Sequence, residues 1–364
     1  MTDYKVHFFR YSAVDDNFDG SKIVIFVRSY QTVFKLQYHS HVYTGQRLAF
    51  YQRCLQLLRE HHDDETEQDT INMLVAPFKP WMDNMALAPP TITLLLHDYL
   101  YVATYVFNAV ADTSTPDAFK PVSKGPIFGR AYPARGLEIT ATHHDSLTWC
   151  PLFTSKEVQL PEAEPEAGYF ACLESPNKVL VGNTICNLKQ FGAYEVEHEA
   201  KTTEFDTYRK IAQARARGTL PDTFRIARLH GLVMDDRACI PRAMMASRGK
   251  DKDRHYRLIG MLIEHIDHRC TLWDAARQTS CTNEQLRTWA SELGAMVTQL
   301  HEAGIVWGDI KPHNVLVDAM NQLWIVDFAG GHTPKWVDYV HKGTMAGDLQ
   351  GLERIQSWLF RREK

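Results

Sequence analysis

Missing from this chain are a long apolar run, a CxxC pair and any low-complexity or internally repeated tract. Each absence removes a class of protein. The most apolar stretch, "TITLLLHDYLYVATYVF", is broken by His97 and Asp98, and the start "MTDYKVHFFRYSAVDD" has no basic segment followed by an apolar core. Neither a membrane span nor a secretion signal is expected. The seven cysteines, Cys54, Cys150, Cys172, Cys186, Cys239, Cys270 and Cys281, are odd in number and widely scattered. Zinc and redox centres built on paired cysteines are thereby disfavoured, and reduced thiols in a cytoplasmic protein are expected. Charge of one sign is also scarce. A net charge of -4 exerts no global pull toward nucleic acid or anionic lipid, leaving only local clusters to act.

What is present is ordinary globular material, 45% hydrophobic and 23% charged over 364 residues, enough for more than one core. Residues 1–148 read as an α/β region. Its strands are "SKIVIFVRSY" and "TVFKLQYH", followed by a helix in which Leu48, Tyr51, Leu55 and Leu58 recur at helical spacing. An acidic loop, "DDETEQD", precedes a helical stretch at 71–85 interrupted by Pro77 and Pro80, and "TITLLLHDYLYVATYVFNAV" reads as β.

Residues 149–266 change texture to short strands, "GYFACLE", "NKVLVGN" and "TICNLKQF", with a helix from Phe205 to Ala214 and a core strand "LIGMLIEHI". In residues 267–364 a longer helix starts near Thr282, where "TNEQ" fits a capping box. Its stripe of Leu286, Trp289, Leu293, Met296, Val297 and Leu300 faces a core, and Gly304 ends it in a left-handed turn. A last helix is expected from Asp348.

The chemistry concentrates directly after that turn. "GIVWGDIKPHNVLV" places Asp309, Lys311 and Asn314 in one loop, and Asp327 follows at the end of the returning hairpin. Two carboxylates and an amide can thus converge on a metal-phosphate centre. Phosphoryl transfer needs that convergence, because it calls for charge neutralisation and positioning more than for covalent help. Asp309 would orient the attacking hydroxyl, Lys311 would steady the transferring phosphoryl group, and Asn314 with Asp327 would hold magnesium.

The DxKxxN loop followed by a second Asp in a strand-turn-strand setting resembles the protein-kinase superfamily, over roughly Phe153 to Phe360. The resemblance implies an α+β, two-lobed kinase-like fold with a compact C-terminal lobe, ATP and Mg2+ as cofactors, and a small-molecule or protein acceptor. It also implies that Lys189 in "TICNLKQF" pairs with nucleotide phosphates and that Glu204 is its helix partner, with Glu197 and Glu199 as rivals. Phe205, Tyr208 and Ile211 would face inward.

Trp307-Gly308 stands where many kinases carry His-Arg. Losing that Arg removes a handle for a phosphorylated loop, and small-molecule kinases similar to aminoglycoside phosphotransferases also place Gly before this Asp. Trp307 would fill the core beneath the loop. Asp327-Phe328-Ala329 departs from the familiar triplet only at its third position. No GxGxxG lies between the strands before Lys189, where "LESPNKVLVG" has one late glycine. The phrases "GIVWGDIKPHNVL", "VDFAGG" and "GDLQGL" are similar to those of a fungal family of kinase-like proteins.

A rival reading attaches to Asp63, Asp64 and Glu67. This DDxxE pattern resembles one in fungal arginine-containing cyclodipeptide synthases of secondary metabolism, which use aminoacyl-tRNA. Clustered carboxylates can grip a guanidinium. Basic clusters at Arg209–Arg217 (Arg209, Lys210, Arg215, Arg217) and Arg248–Arg257 (Arg248, Lys250, Lys252, Arg254, Arg257) could neutralise tRNA phosphates. A solvated acidic loop and a solvated insertion are the plainer readings of these stretches. His61-His62, His143-His144-Asp145 and His265 to His268 lack helical metal-ligand spacing, so no transition metal is expected. A third class is a pseudokinase that serves as a binding module.

Overall fold

The computed structural model describes residues 5–12, 20–29, 32–60, 64–85, 94–111, 119–128, 137–140, 147–161, 177–191, 195–235 and 255–361. The chain divides into two units, Met1–Ala134 with Lys156–Asn177, and Arg135–Ser155 with Lys178–Lys364.

In the first unit, strands β1 (Lys5–Ser12), β2 (Lys22–Ser29) and β3 (Thr32–His39) form antiparallel neighbours. Among the described residues four α-helices then intervene: α1 (Gly45–Glu60), α2 (Asp64–Val75), α3 (Lys79–Met85) and α4 (Leu96–Leu100). The chain re-enters the sheet as β4 (Ala103–Ala111), parallel to β3, and closes with β5 (Phe119–Phe128) antiparallel to β4. A parallel neighbour requires such a crossover. Alternation then sorts the side chains. Ile23, Ile25, Val27, Phe34, Leu36, Tyr38 and Phe107 pack in one cluster with Tyr51, Leu55, Leu58, Leu74 and Met82 of the helices. Val24, Phe26, Val33 and Val102 make a second cluster. Arg28, 1% exposed, donates to the Tyr99 carbonyl at 2.9 Å and lies 4.0 Å over the Tyr99 ring.

Two expectations are corrected here. The acidic stretch after residue 63 is helical from Asp64, not a loop; Glu65 and Glu67 in the first turn complement the positive end of the helix dipole. The "LLHDY" stretch is the short helix α4 rather than strand, because the Asp98 carboxylate accepts from the Leu95 backbone N–H at 3.1 Å and caps a turn there. The short β6 (Leu137–Thr140) and β7 (Leu152–Thr154) belong to the second unit, and β8 (Val158–Gln159), whose Gln159 bridges Leu95, belongs to the first.

The second unit continues with β9 (Lys178–Val181), β10 (Thr184–Gln190), the long helix α5 (Glu195–Ala216), β11 (Leu229–Met234) and β12 (His255–Glu264). Its strands neighbour one another in the order β7-β11-β12-β10-β9, with β6 also pairing β12. Thr184 pairs with Val181, so the β9–β10 turn is only Gly182–Asn183. There follow β13 (Cys270–Thr271), α6 (Leu272–Ala275), α7 (Asn283–Glu302), β14 (Val315–Val317), β15 (Leu323–Ile325) and α8 (Met345–Phe360). Strands β13, β14 and β15 form a small antiparallel sheet.

The Thr282 hydroxyl accepts from the Gln285 N–H at 3.2 Å to start α7, and Gly304 at φ +74° follows its end. All six residues of the expected stripe are buried, each contributing roughly 1.5–3 kcal/mol by leaving water. Helix α8 begins three residues before Asp348, because the Thr344 hydroxyl caps the Gly347 N–H at 3.1 Å. Helix α5 begins at Glu195, ahead of the expected Phe205, in a Glu/Ala/Lys stretch of good helix formers. Several expectations lie outside the described residues: the strand "GYFACLE", the doublets His61-His62 and His143-His144, Asp63, and the basic residues Arg248, Lys250, Lys252 and Arg254.

Candidate active site

The loop after α7 is held from below. Trp307 is 1% exposed, and its indole N–H donates to the Val326 carbonyl at 3.0 Å and the Asp327 carbonyl at 3.2 Å. One side chain thus fills the core and ties the outgoing loop to the returning hairpin. The backbone N–H groups of Trp307 and Gly308 donate to the two carboxylate oxygens of Asp348, each at 2.8 Å. Asp348 sits in the first turn of α8, 1% exposed, and its Oδ2 is also 2.9 Å from His301 Nε2. A carboxylate at a helix N-terminus that accepts from two amides is a strong, directional clamp. Gly308 adopts φ +85°, and a Cβ there would come within 3.1 Å of Gly330 Cα. Only glycine passes this point without strain.

Above the clamp lies Asp309, 5% exposed. Its Oδ2 accepts from Lys311 Nζ at 2.6 Å and from Asn314 Nδ2 at 2.9 Å. Asn314 Nδ2 also donates to the Asp309 carbonyl at 2.9 Å, which locks the loop into one conformation. Gly331 backs onto the same carboxylate. A Cβ at Gly331 would lie 2.8 Å from Asp309 Cγ, so any side chain there would displace the acid.

Asp327 leaves β15 at φ +65°, a left-handed backbone that Asp tolerates better than most residues. Lys189, from β10, places its Nζ 2.9 Å from Asp327 Oδ1 and 2.6 Å from Glu204 Oε1 of α5. The Phe328 N–H reaches the same Glu204 oxygen at 3.4 Å. Burial alone would lower the Lys189 pKa, but Glu204 and Asp327 outweigh it and hold the amine above its ordinary value. Burial pushes Glu204 up while Lys189 opposes the shift. The side chains of Glu197 and Glu199 lie outside the described residues. Tyr208 and Ile211, one and two turns beyond Glu204, are buried, and Tyr208 meets the Phe328 ring edge-on at 5.6 Å. Phe205 is half-buried and packs on Trp149.

Two carboxylates facing one ammonium leave the Lys189–Glu204–Asp327 group with an excess of negative charge. Among the described residues no three His, Cys, Asp or Glu side chains are arranged to hold a metal. Magnesium does not need such a cage, since it keeps waters and takes one or two protein oxygens besides phosphate. Asp327, with its side chain 34% exposed, and the Asn314 amide carbonyl are oxygen donors of that kind, so the residues fit this ion.

The other sequence candidates are placed elsewhere. Asp64 and Glu67 lie on α2 of the first unit. Arg209 and Lys210 are exposed on α5, where Arg209 pairs with Asp206 at 2.8 Å, and Arg217 is exposed beyond it. Arg215 instead turns inward, its Nη2 donating to the Phe224 carbonyl at 3.3 Å. Arg257 is half-buried on β12. The His265 and His268 rings contact each other with centroids 6.2 Å apart.

Sequence reasoning missed Asp348, the close approach of Gly331 and the hydrogen bonds of the Trp307 indole. Asp348 lies about forty residues from the amides it holds, and no local spacing rule reaches that far.

A protein kinase domain model matches residues 248–346. The matched stretch contains Asp309, Lys311, Asn314 and Asp327, begins after Lys189 and Glu204, and stops just before Asp348. It supports a protein-kinase-like relationship and, at the coarse level, a transferase of the phosphotransferase kind. No curated protein matches the chain. Among the described residues no helix is long and apolar enough to cross a membrane.

Proposed function

We propose that the chain is an ATP- and magnesium-dependent phosphotransferase acting on the hydroxyl of a small molecule or protein, with residues 149–266 and 267–364 as its two lobes. The observation that carries this reading is the joining of Lys189, Glu204 and Asp327 by ion pairs of 2.6 and 2.9 Å, in a unit that also holds the Asp309–Lys311–Asn314 loop. Nucleotide with magnesium would supply the transferable phosphoryl group and most of the positive charge around it. Lys189, oriented by Glu204, binds phosphate oxygens, and Asp327 with Asn314 would hold the metal. Asp309 would accept the proton of the acceptor hydroxyl as its oxygen takes the phosphoryl group and the nucleotide's terminal P–O bond breaks to release ADP, and Lys311 would neutralise the charge beside it. The clamp from Asp348 keeps Asp309 in place so that no reorganisation accompanies the step. The Gly182–Asn183 turn offers little backbone to wrap phosphates, so the side chains carry more of the binding.

Incubation with ATP-magnesium, and separately with charged tRNAs, with ADP and dipeptide followed by mass, tests the reading. ADP without dipeptide supports phosphotransfer. Dipeptide without ADP supports the tRNA-dependent rival and overturns it, and neither product leaves a binding module.

A further inference from the structure

Along the C-terminal half of α5, on the helical face that Glu204 also occupies, the second unit forms a half-open cavity of about 380 Å³. Four separate segments build it: Trp149 to Pro151, the C-terminal half of α5, the start of β11 and the end of β12. Trp149, Ile211 and Leu229 give it apolar walls, while Arg215, Arg228 and Glu264 bring charge. Two buried polar atoms of the lining residues, the Tyr208 hydroxyl and Arg215 Nε, have no hydrogen-bond partner among the described residues. Tyr208 is 2% exposed. An orphaned buried donor costs its full desolvation, so a folded protein that keeps two beside one cavity has a reason to keep them.

The charges point to the sign of an occupant. Arg215 and Arg228 line the cavity with one carboxylate, Glu264, and Asp222 also acts on Arg215 from outside the lining. Burial, and next the neighbouring Arg228, hold the Arg215 pKa below its ordinary value against the opposing pull of Asp222 and Glu264, and a further anion beside the guanidiniums would act in the same sense as those carboxylates. Arg215 spends Nη2 on the Phe224 carbonyl and Arg228 spends Nη2 on the Asp222 carbonyl at 2.6 Å, leaving other N–H groups of each fork. The apolar walls suit a flat ring.

We propose that this cavity is a second binding site, which takes a small aromatic carboxylate, its acid on Arg215 and Arg228 and its ring against Trp149. Because the Tyr208 ring touches Phe328 and Glu204 lies one turn away, an occupant bears on the helix that orients Lys189. That regulatory consequence rests on the phosphotransfer reading, whereas binding does not.

Saturation-transfer NMR and thermal shift with indole-3-acetate, its neutral amide and inorganic phosphate test the proposal. Indole-3-acetate should bind saturably with a dissociation constant on the order of 1 mM, as befits so small a ligand. The amide and phosphate should each bind about tenfold more weakly, matching the loss of a charge-assisted pair or of the apolar wall. Ala212→Trp, which fills the cavity, should abolish binding, and Arg228→Gln at an exposed position should weaken it about tenfold while circular dichroism is unchanged. No saturable binding to the unmodified protein, equal binding of the amide, or full binding to Arg228→Gln overturns the site. If ADP forms and saturating indole-3-acetate alters its rate in the unmodified protein but not in Arg228→Gln, the regulatory part holds; an unaltered rate overturns that part alone. Absence of ADP altogether counts against the phosphotransfer reading and leaves the binding result standing.

Discussion

Both units contain clustered acids, yet they treat them in opposite ways. On α2 of the first unit Glu65 is exposed and Glu67 half-buried, on a helix whose inner face is apolar. In the second unit Asp309, Asp348 and Glu204 are at most 5% exposed, and each is met by two or more donors or cations. A solvated acid costs the fold nothing. A buried one persists only when its partners are built around it, and such places are where function concentrates. The difference sets the partnered acids of the second unit apart from Glu65 and Glu67 of the first.

The largest expected effect falls on turnover. Asp309→Asn and Asp327→Asn should each abolish ADP formation while far-UV circular dichroism stays unchanged; persistent activity in both would erase the contrast. Next is stability. Asp348→Ala strands two buried amide donors and should lower the unfolding free energy by about 3 kcal/mol in urea titrations. Asp348→Asn, which keeps one acceptor, should cost less. If Asp348→Ala unfolds like the parent, the clamp has been misjudged.

On the first unit, Glu65→Gln, at an exposed position of α2, should shift stability by no more than about 0.5 kcal/mol, and Asp64→Asn with Glu67→Gln should leave ADP formation intact. Lost activity there would move the site to the other unit.

The smallest effect concerns thiols. Burial raises the pKa of Cys150 to about 12 and of Cys54 and Cys186 to about 11. All three stay protonated below pH 9, so iodoacetamide at pH 8 should label the half-exposed Cys270 and Cys281 ahead of them. Labelling of these three should rise only as pH approaches those values.

How much of this was legible in the sequence depended on distance along the chain. The α7 stripe, its Thr282 cap and the Gly304 stop follow from local spacing, and the structure places them as expected. The loop of Asp309, Lys311 and Asn314 is equally local. Lys189 and Glu204 could be nominated by residue type, but Glu197 and Glu199 remained rivals. Glu204 shares a helical face with Tyr208 and Ile211, and that shared burial is the signal that favours it. Helix α4 was missed because a run of Leu and Tyr has no period of its own, and Asp98 decided the matter by capping. Asp348 and the cavity along α5 depend on segments far apart in sequence, which only the folded core brings together.

The central claim is that Asp327 serves a metal-bound nucleotide in concert with Lys189. Isothermal titration of ATP with and without magnesium, on the unmodified protein and on Asp327→Asn, addresses it most directly. Magnesium should tighten ATP binding to the unmodified protein by about tenfold or more, the equivalent of one charge-assisted contact, and should have no such effect on Asp327→Asn. ATP affinity that is indifferent to magnesium in both proteins would contradict the account.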